Sequence, residues 1–148
     1  LDASRLQRIS EHLNLLVAVT GQFSSAELLA SEEFSAGGSQ FGRGYDASEI
    51  SGDHGFAGKL ELQWNRPVAI DILNNYQFYG FYDFGLAWQE DSATRDSLAS
   101  TGIGVRLNLT RWIAGNLELA YPLTRPVAAR APGKRDDPRL LFSLSARY

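Results

Sequence analysis

Apolar and polar residues alternate with a period of two over most of this 148-residue chain. In the stretch from Phe56 to Trp64, Phe56, Gly58, Leu60, Leu62 and Trp64 share one face, while Ala57, Lys59, Glu61 and Gln63 share the other. Successive side chains of a strand point to opposite faces, so this pattern predicts a strand with one apolar face. From Tyr76 to Trp88 the pattern repeats, with Tyr76, Phe78, Gly80, Tyr82, Phe84, Leu86 and Trp88 opposite Gln77, Tyr79, Phe81, Asp83, Gly85 and Ala87. Four more strands are predicted at Leu13–Phe23, Leu98–Leu109, Ile113–Leu123 and Leu140–Tyr148, and part of a seventh at Ala3–Ile9. No segment carries a sustained helical period; Ser24–Phe34 allows one short helical turn.

The connections alternate in size. A long loop is predicted at residues 24–55, then a shorter link at Asn65–Asn75 that contains Pro67. A polar loop follows from Gln89, then a tight turn at Thr110–Trp112, then a charged, proline-containing loop at Thr124–Pro138. Long loops on one side and tight turns on the other are the habit of outer-membrane barrels. With the long loops outside the cell, Trp64, Tyr76, Trp112 and Tyr148 gather at the periplasmic rim, and Trp88 and Tyr121 at the outer rim. Such belts suit rings with one polar edge. A soluble sandwich or a lipocalin-like binding barrel would alternate too. Against that reading stands the second face, which carries Lys59, Glu61, Gln63, Gln77, Asp83, Arg106, Asn108, Asn116, Glu118 and Arg147. It is too polar for a packed core and suits a wet lumen. The fold class expected is all-β, an antiparallel transmembrane barrel of the outer-membrane type.

Composition narrows the chemistry. Fourteen Lys and Arg against 17 Asp and Glu give a net charge of −3, which argues against a nucleic-acid partner. The chain has no cysteine and two histidines, so thiolate and histidine metal clusters are not expected. No cofactor is expected. The chain has no methionine and starts at Leu1, so it is expected to be a processed or truncated piece. No catalytic role is expected either. The nucleophile-elbow pattern is absent, His54 beside Asp53 lacks a placed nucleophile, and the glycines from Gly102 lack phosphate-loop spacing.

The most specific residues lie in the long loop. Gly21-Gln22, Leu28-Leu29, Glu33-Phe34, Gly37-Gly38, Arg43-Gly44-Tyr45 and Gly52-Asp53 together resemble the signature of the two-partner secretion transporters (TpsB proteins, the hemolysin secretion/activation family). Phe81–Gly85, an aromatic-x-Asp-x-Gly stretch, resembles the second motif of that family. Residues Leu140–Tyr148, with Phe142, Leu144 and Tyr148, resemble the terminal strand signal read by the barrel assembly machinery. Gly42 stands where the family usually has an apolar residue before the arginine, a departure expected to make the loop tip more flexible.

The resemblance implies a barrel of about sixteen strands, of which this chain would hold the last six or seven, preceded by POTRA domains and a plug helix absent from the sequence. It implies location in the outer membrane of a Gram-negative bacterium, contact with outer-membrane lipid, and export of an unfolded, TpsA-type exoprotein through the lumen. It also implies that the long loop folds into the lumen and that Arg43, Gly44 and Tyr45 meet Asp83 and Gly85 there, with Tyr45 stacked near Tyr79 and Phe81. Taken alone, Arg43 reads as a solvated loop charge and Asp83 as a strand-end residue. A BamA/TamA-like assembly factor that inserts other barrels shares the Arg-Gly-Tyr loop and is the alternative.

Overall fold

A computed structural model describes residues 1–70, 73–91, 95–109, 112–124 and 137–147, without the side chains of 69 and 70. The described residues form nine strands: β1 (Asp2–Arg8), β2 (Leu13–Gln22), β3 (Phe34–Ala36), β4 (Ile50–Gly52), β5 (His54–Ile70), β6 (Leu73–Trp88), β7 (Arg95–Asn108), β8 (Ile113–Pro122) and β9 (Arg139–Ala146). Seven of them make one antiparallel sheet in the order β1-β2-β5-β6-β7-β8-β9, and β3 and β4 pair as a separate ribbon. The large sheet is open, with β1 and β9 at its edges. β5 and β6 have 17 and 16 residues, well beyond the usual strand of a soluble domain.

The sheet is inside out relative to a soluble protein. On its apolar face Ile103 is 66 % exposed and Leu62 47 %, whereas on its polar face Glu61 is 2 % exposed and Asp83 is fully buried. A soluble sheet hides its apolar side; this one presents it outward, as a strand facing lipid does. What buries the polar face is the segment between β2 and β5. Its ribbon places Phe34, Ala36, Tyr45 and Ile50 against Ala57, Ala87 and Leu98 of the sheet, with Phe41 packed beside them.

Cross-strand register sorts the polar face into rows. Lys59 lies opposite Asp83, and Asp83 opposite Ser100. One step toward the end where β5 turns into β6, the hairpin end, come Glu61, Phe81, Gly102 and Ala120, then Gln63, Tyr79, Gly104 and Glu118. The next row is Asn65, Gln77, Arg106 and Asn116.

Three sequence expectations change. The link at Asn65–Asn75 is not a loop: β5 runs on through Pro67 to Ile70, and β6 begins at Leu73. Pro67 cannot donate to the ladder, and the register shifts between Pro67 and Ile70, which accommodates it. Ala3–Ile9 is a full strand, Asp2–Arg8, paired along its length with β2. Between Ser24 and Phe34 there is no helix, only a turn in which the Glu32 N–H donates to the Leu29 carbonyl at 2.7 Å. At the hairpin end Trp64 packs with Tyr76 and Phe78, at ring separations of 6.2 and 6.1 Å, and Trp112 is exposed nearby on the β7–β8 turn. Trp88 lies at the opposite end of β6; Tyr148 lies outside the described residues.

The outward face generates a stability test. Leu62→Lys should destabilise the folded full-length protein in lipid by about 2–4 kcal/mol, the cost of a lysine on the lipid face near mid-bilayer. Ser51→Lys, exposed on the ribbon, should cost about 0.5 kcal/mol or less. Equal costs in urea titrations would show that the apolar face does not meet lipid.

Candidate functional site

The loop reaches the sheet through a strained turn. Gly42 has φ = 101°, a conformation open to glycine and disfavoured for other residues. A Cβ there would sit 2.9 Å from Leu98 Cδ1, too close without a shift. Gly42 therefore does not loosen the loop tip as expected: it is packed, and its N–H donates to Asp83 Oδ2 at 3.2 Å. Gly44 lets the backbone come down onto β7 and β8, since a Cβ there would lie 2.9 Å from both Pro122 N and Ser100 Cβ. Gly85 leaves room on the wall for Ala36 of the ribbon, whose Cβ would be 3.0 Å from a Cβ at that position.

This turn delivers Arg43, 5 % exposed, to the wall. Its Nε donates to Asp83 Oδ2 at 3.0 Å and its Nη2 to Asp83 Oδ1 at 2.8 Å, a two-point fork. The Arg43 backbone N–H adds a third bond to Oδ2 at 3.0 Å. Nη1 turns the other way and donates to Glu61 Oε2 at 3.0 Å and Glu118 Oε2 at 3.1 Å. The guanidinium lies over the Phe81 ring, 3.4 Å from its centroid. One cation is thus held by carboxylates from β5, β6 and β8 and by an aromatic face. The planar fork of arginine matches this arrangement; a lysine ammonium offers a point charge and no fork.

A second guanidinium balances the wall. Arg106 donates from Nη1 to Glu61 Oε1 at 2.6 Å and from Nη2 to Glu61 Oε2 at 3.1 Å, and it covers the Tyr79 ring at 3.8 Å. Gln63 donates to Glu61 Oε1 at 2.7 Å, and Gln77 to Asn65 Oδ1 at 2.6 Å. The Tyr79 hydroxyl lies 2.7 Å from Glu118 Oε2 and 2.8 Å from Asn116 Oδ1. Lys59 is half-buried with its ammonium 5.4 Å from the Phe41 ring. Asn108 is exposed at the hairpin end of the same face, and Arg147 is exposed just past β9. Phe142 and Leu144 stand exposed on the apolar side of β9.

Tyr45 does not stack near Tyr79 and Phe81. Its ring belongs to the cluster of Phe34, Ile50 and Leu98, while Tyr79 and Phe81 pack with Ala120 in another. The backbone path over Gly44 aims Tyr45 toward β7 and β8, where its hydroxyl lies 2.6 Å from the Thr124 carbonyl and 2.8 Å from that of Ala99. It accepts from the Thr124 N–H at 3.0 Å. A phenol used this way ties the loop to the β8 end.

The root of the loop has its own fastening. Asp53 accepts the Glu90 N–H at 3.0 Å and the Leu28 N–H at 2.7 Å. These two bonds, the one from Glu90 first, hold its carboxyl below the usual carboxylate range. His54 stacks on Trp88 at 5.4 Å. Its Nδ1 accepts the Ser24 N–H at 3.3 Å and its Nε2 lies 2.5 Å from Glu90 Oε2. Asp53 and His54 converge on Glu90 because Asp53 lies in the bend before β5, where strand alternation does not apply.

Glu61 and Glu118 were legible as lumen-facing by parity, but not as partners of Arg43. Asn65 and Asn75 share that face, although Pro67 reads as a break and leaves both outside the expected strands. Continued alternation past Trp64 was the signal for Asn65.

The three-carboxylate site decides the outcome of a charge swap. Arg43→Asp combined with Asp83→Arg would set the new acid against Glu61 and Glu118, so the reversed pair should not restore the loop. Arg43→Lys should retain partial protection. Limited proteolysis of the loop in the full-length protein reads both; full rescue by the swap would mean that Asp83 alone holds Arg43.

The family model described as Haemolysin secretion/activation protein ShlB/FhaC/HecB matches residues 1–107. The chain is also similar to the outer membrane transporter CdiB of Dickeya dadantii (strain 3937), with 27 % identity over 128 residues. That alignment takes in 85 % of this chain and 23 % of the relative, so the chain spans about a quarter of the length of the curated protein it matches. No solved structure matches significantly. The matched region contains the loop, Arg43 and Asp83, and the chain belongs to the haemolysin secretion/activation protein family ShlB/FhaC/HecB.

Proposed function

We propose that the full-length protein is an outer-membrane translocation pore that exports an unfolded partner exoprotein, and that residues 23–53 are its gate. Family membership, together with the likeness to an outer membrane transporter, supports a place in the outer membrane of a Gram-negative bacterium. The observation that carries the reading is the loop held on the polar face by the Arg43–Asp83 fork. A segment packed on part of the polar side of a lipid-facing sheet narrows whatever path that side lines. On this reading the loop end faces outward, the apolar face meets lipid, and β9 with Phe142 and Leu144 presents the signal read during barrel assembly.

The gate is built to be reversible. Arg43 leaves as one unit with the loop, and the wall keeps Asp83, Glu61 and Glu118 with Arg106 as the remaining guanidinium of the cluster. Those acids are then hydrated by the open lumen and attract the arginine back. Removing Arg43 by mutation leaves buried carboxylates uncompensated in the closed state, a loss of about 3–5 kcal/mol for a buried pair. No covalent step is required of any residue in the cluster, and the work is passage of a chain rather than catalysis.

Arg43→Ala in the full-length transporter should change both single-channel conductance and the amount of exoprotein released to the medium. Unchanged conductance and secretion would remove the loop from the gating role.

A further inference from the structure

The loop covers only part of the polar face. Toward the hairpin end the wall stays open and forms a polar cavity of about 290 Å³. Two rows line it. In one, Asn65, Gln77, Arg106, Asn116 and Ser143 lie opposite one another in register. In the next, Asn75, Asn108, Ala114 and Ser145 do the same.

We propose that this belt is a binding site for the main chain of an extended, unfolded polypeptide. The inference rests on the export reading and assigns it a contact site.

The chemistry of the belt selects this ligand. A carboxamide offers two N–H donors and a carbonyl oxygen with two lone pairs, the same groups that a peptide bond presents. The bonds already present use part of that capacity: Gln77 donates to Asn65 Oδ1 at 2.6 Å and to Gln63 Oε1 at 3.3 Å and accepts from Arg106 Nη1 at 2.5 Å, Asn116 Oδ1 accepts the Tyr79 hydroxyl at 2.8 Å, and Asn108 donates to Asn75 Oδ1 at 2.5 Å. The amide N–H groups of Asn65, Asn75 and Asn116 and the Ser143 hydroxyl line the cavity and take no part in those bonds. The lining holds no carboxylate, and its guanidinium, Arg106, is committed to Glu61. An anionic ligand therefore finds no unshared cation. Sugars are recognised by stacking on aromatic faces, but Arg106 covers Tyr79 and Arg43 covers Phe81. A neutral main chain can be held here through several weak bonds and released one bond at a time.

The test uses the full-length transporter in planar bilayers. The probe is an unfolded, neutral peptide of glycine, serine and asparagine added on the hairpin-end side. Transient current blockades are expected, with a residence time that falls about fivefold for each main-chain hydrogen bond lost. The same peptide with N-methylated amides should leave sooner, and so should the unmodified peptide from the Asn75→Leu/Asn108→Leu transporter. The N-methylated peptide needs no altered protein, so the outcome does not depend on how the variant folds. Equal residence times for the two peptides, or no blockade by either, overturn the site. If the same transporter still exports its exoprotein in cells, only the site is lost; if it exports none, the export reading and the site fall together.

Discussion

The burial of one guanidinium among three carboxylates sets the rest of this structure. Taking a charge out of water costs several kcal/mol unless partners and hydrogen bonds replace the hydration shell. Arg43 meets that demand with the fork to Asp83, single bonds to Glu61 and Glu118, and the face of Phe81. Each partner sits on a different part of the wall, so the arginine is satisfied only when β5, β6 and β8 keep their register. The loop geometry follows from the same demand. Gly42 must hold a positive φ to point its N–H at Asp83, and Gly44 must lack a Cβ to let the backbone reach Ser100 and Pro122.

The sheet supplies what that centre needs. Alternation sends apolar residues outward and polar ones inward along every long strand, so a cluster of acids can be assembled on one face without disturbing the other. The ribbon of β3 and β4 then provides the apolar packing that the polar face lacks, through Phe34, Ile50 and Tyr45 against Ala57, Ala87 and Leu98. Charge fixes where the loop docks, and this small cluster excludes water around it. Asp53 and His54 fasten the loop's root, and the Tyr45 hydroxyl fastens its far side.

Most of the strands were legible because a period of two is a strong signal wherever one face is apolar. The ends were less so. Pro67 reads as a breaker, yet a register shift lets β5 pass through it. β1, exposed along its whole length, lacks the apolar face that marks the other strands. The Arg43–Asp83 contact came from motif resemblance, since no local pattern tells a buried loop arginine from a solvated one. The roles of Glu61 and Glu118 were hidden for a different reason. Parity says which face a side chain takes, but only three-dimensional register says that residues 57 positions apart on β5 and β8 converge on one guanidinium. The direction of Tyr45 depends on the backbone path over Gly44, which sequence pattern does not encode.

The Arg43 centre holds the loop against the wall. Ala36 of the ribbon and Gly85 of β6 face one another so closely that a Cβ at Gly85 would lie 3.0 Å from that of Ala36, within a small shift of the roughly 3.8 Å that a disulfide spans. Native cysteines in this chain do not interfere, because it has none. In the full-length protein in its membrane, the pair Ala36→Cys and Gly85→Cys should oxidise to an intramolecular disulfide, and adding Arg43→Ala should sharply reduce its yield. Equal yield with and without Arg43, or no disulfide in either, would show that Arg43 does not hold the loop there.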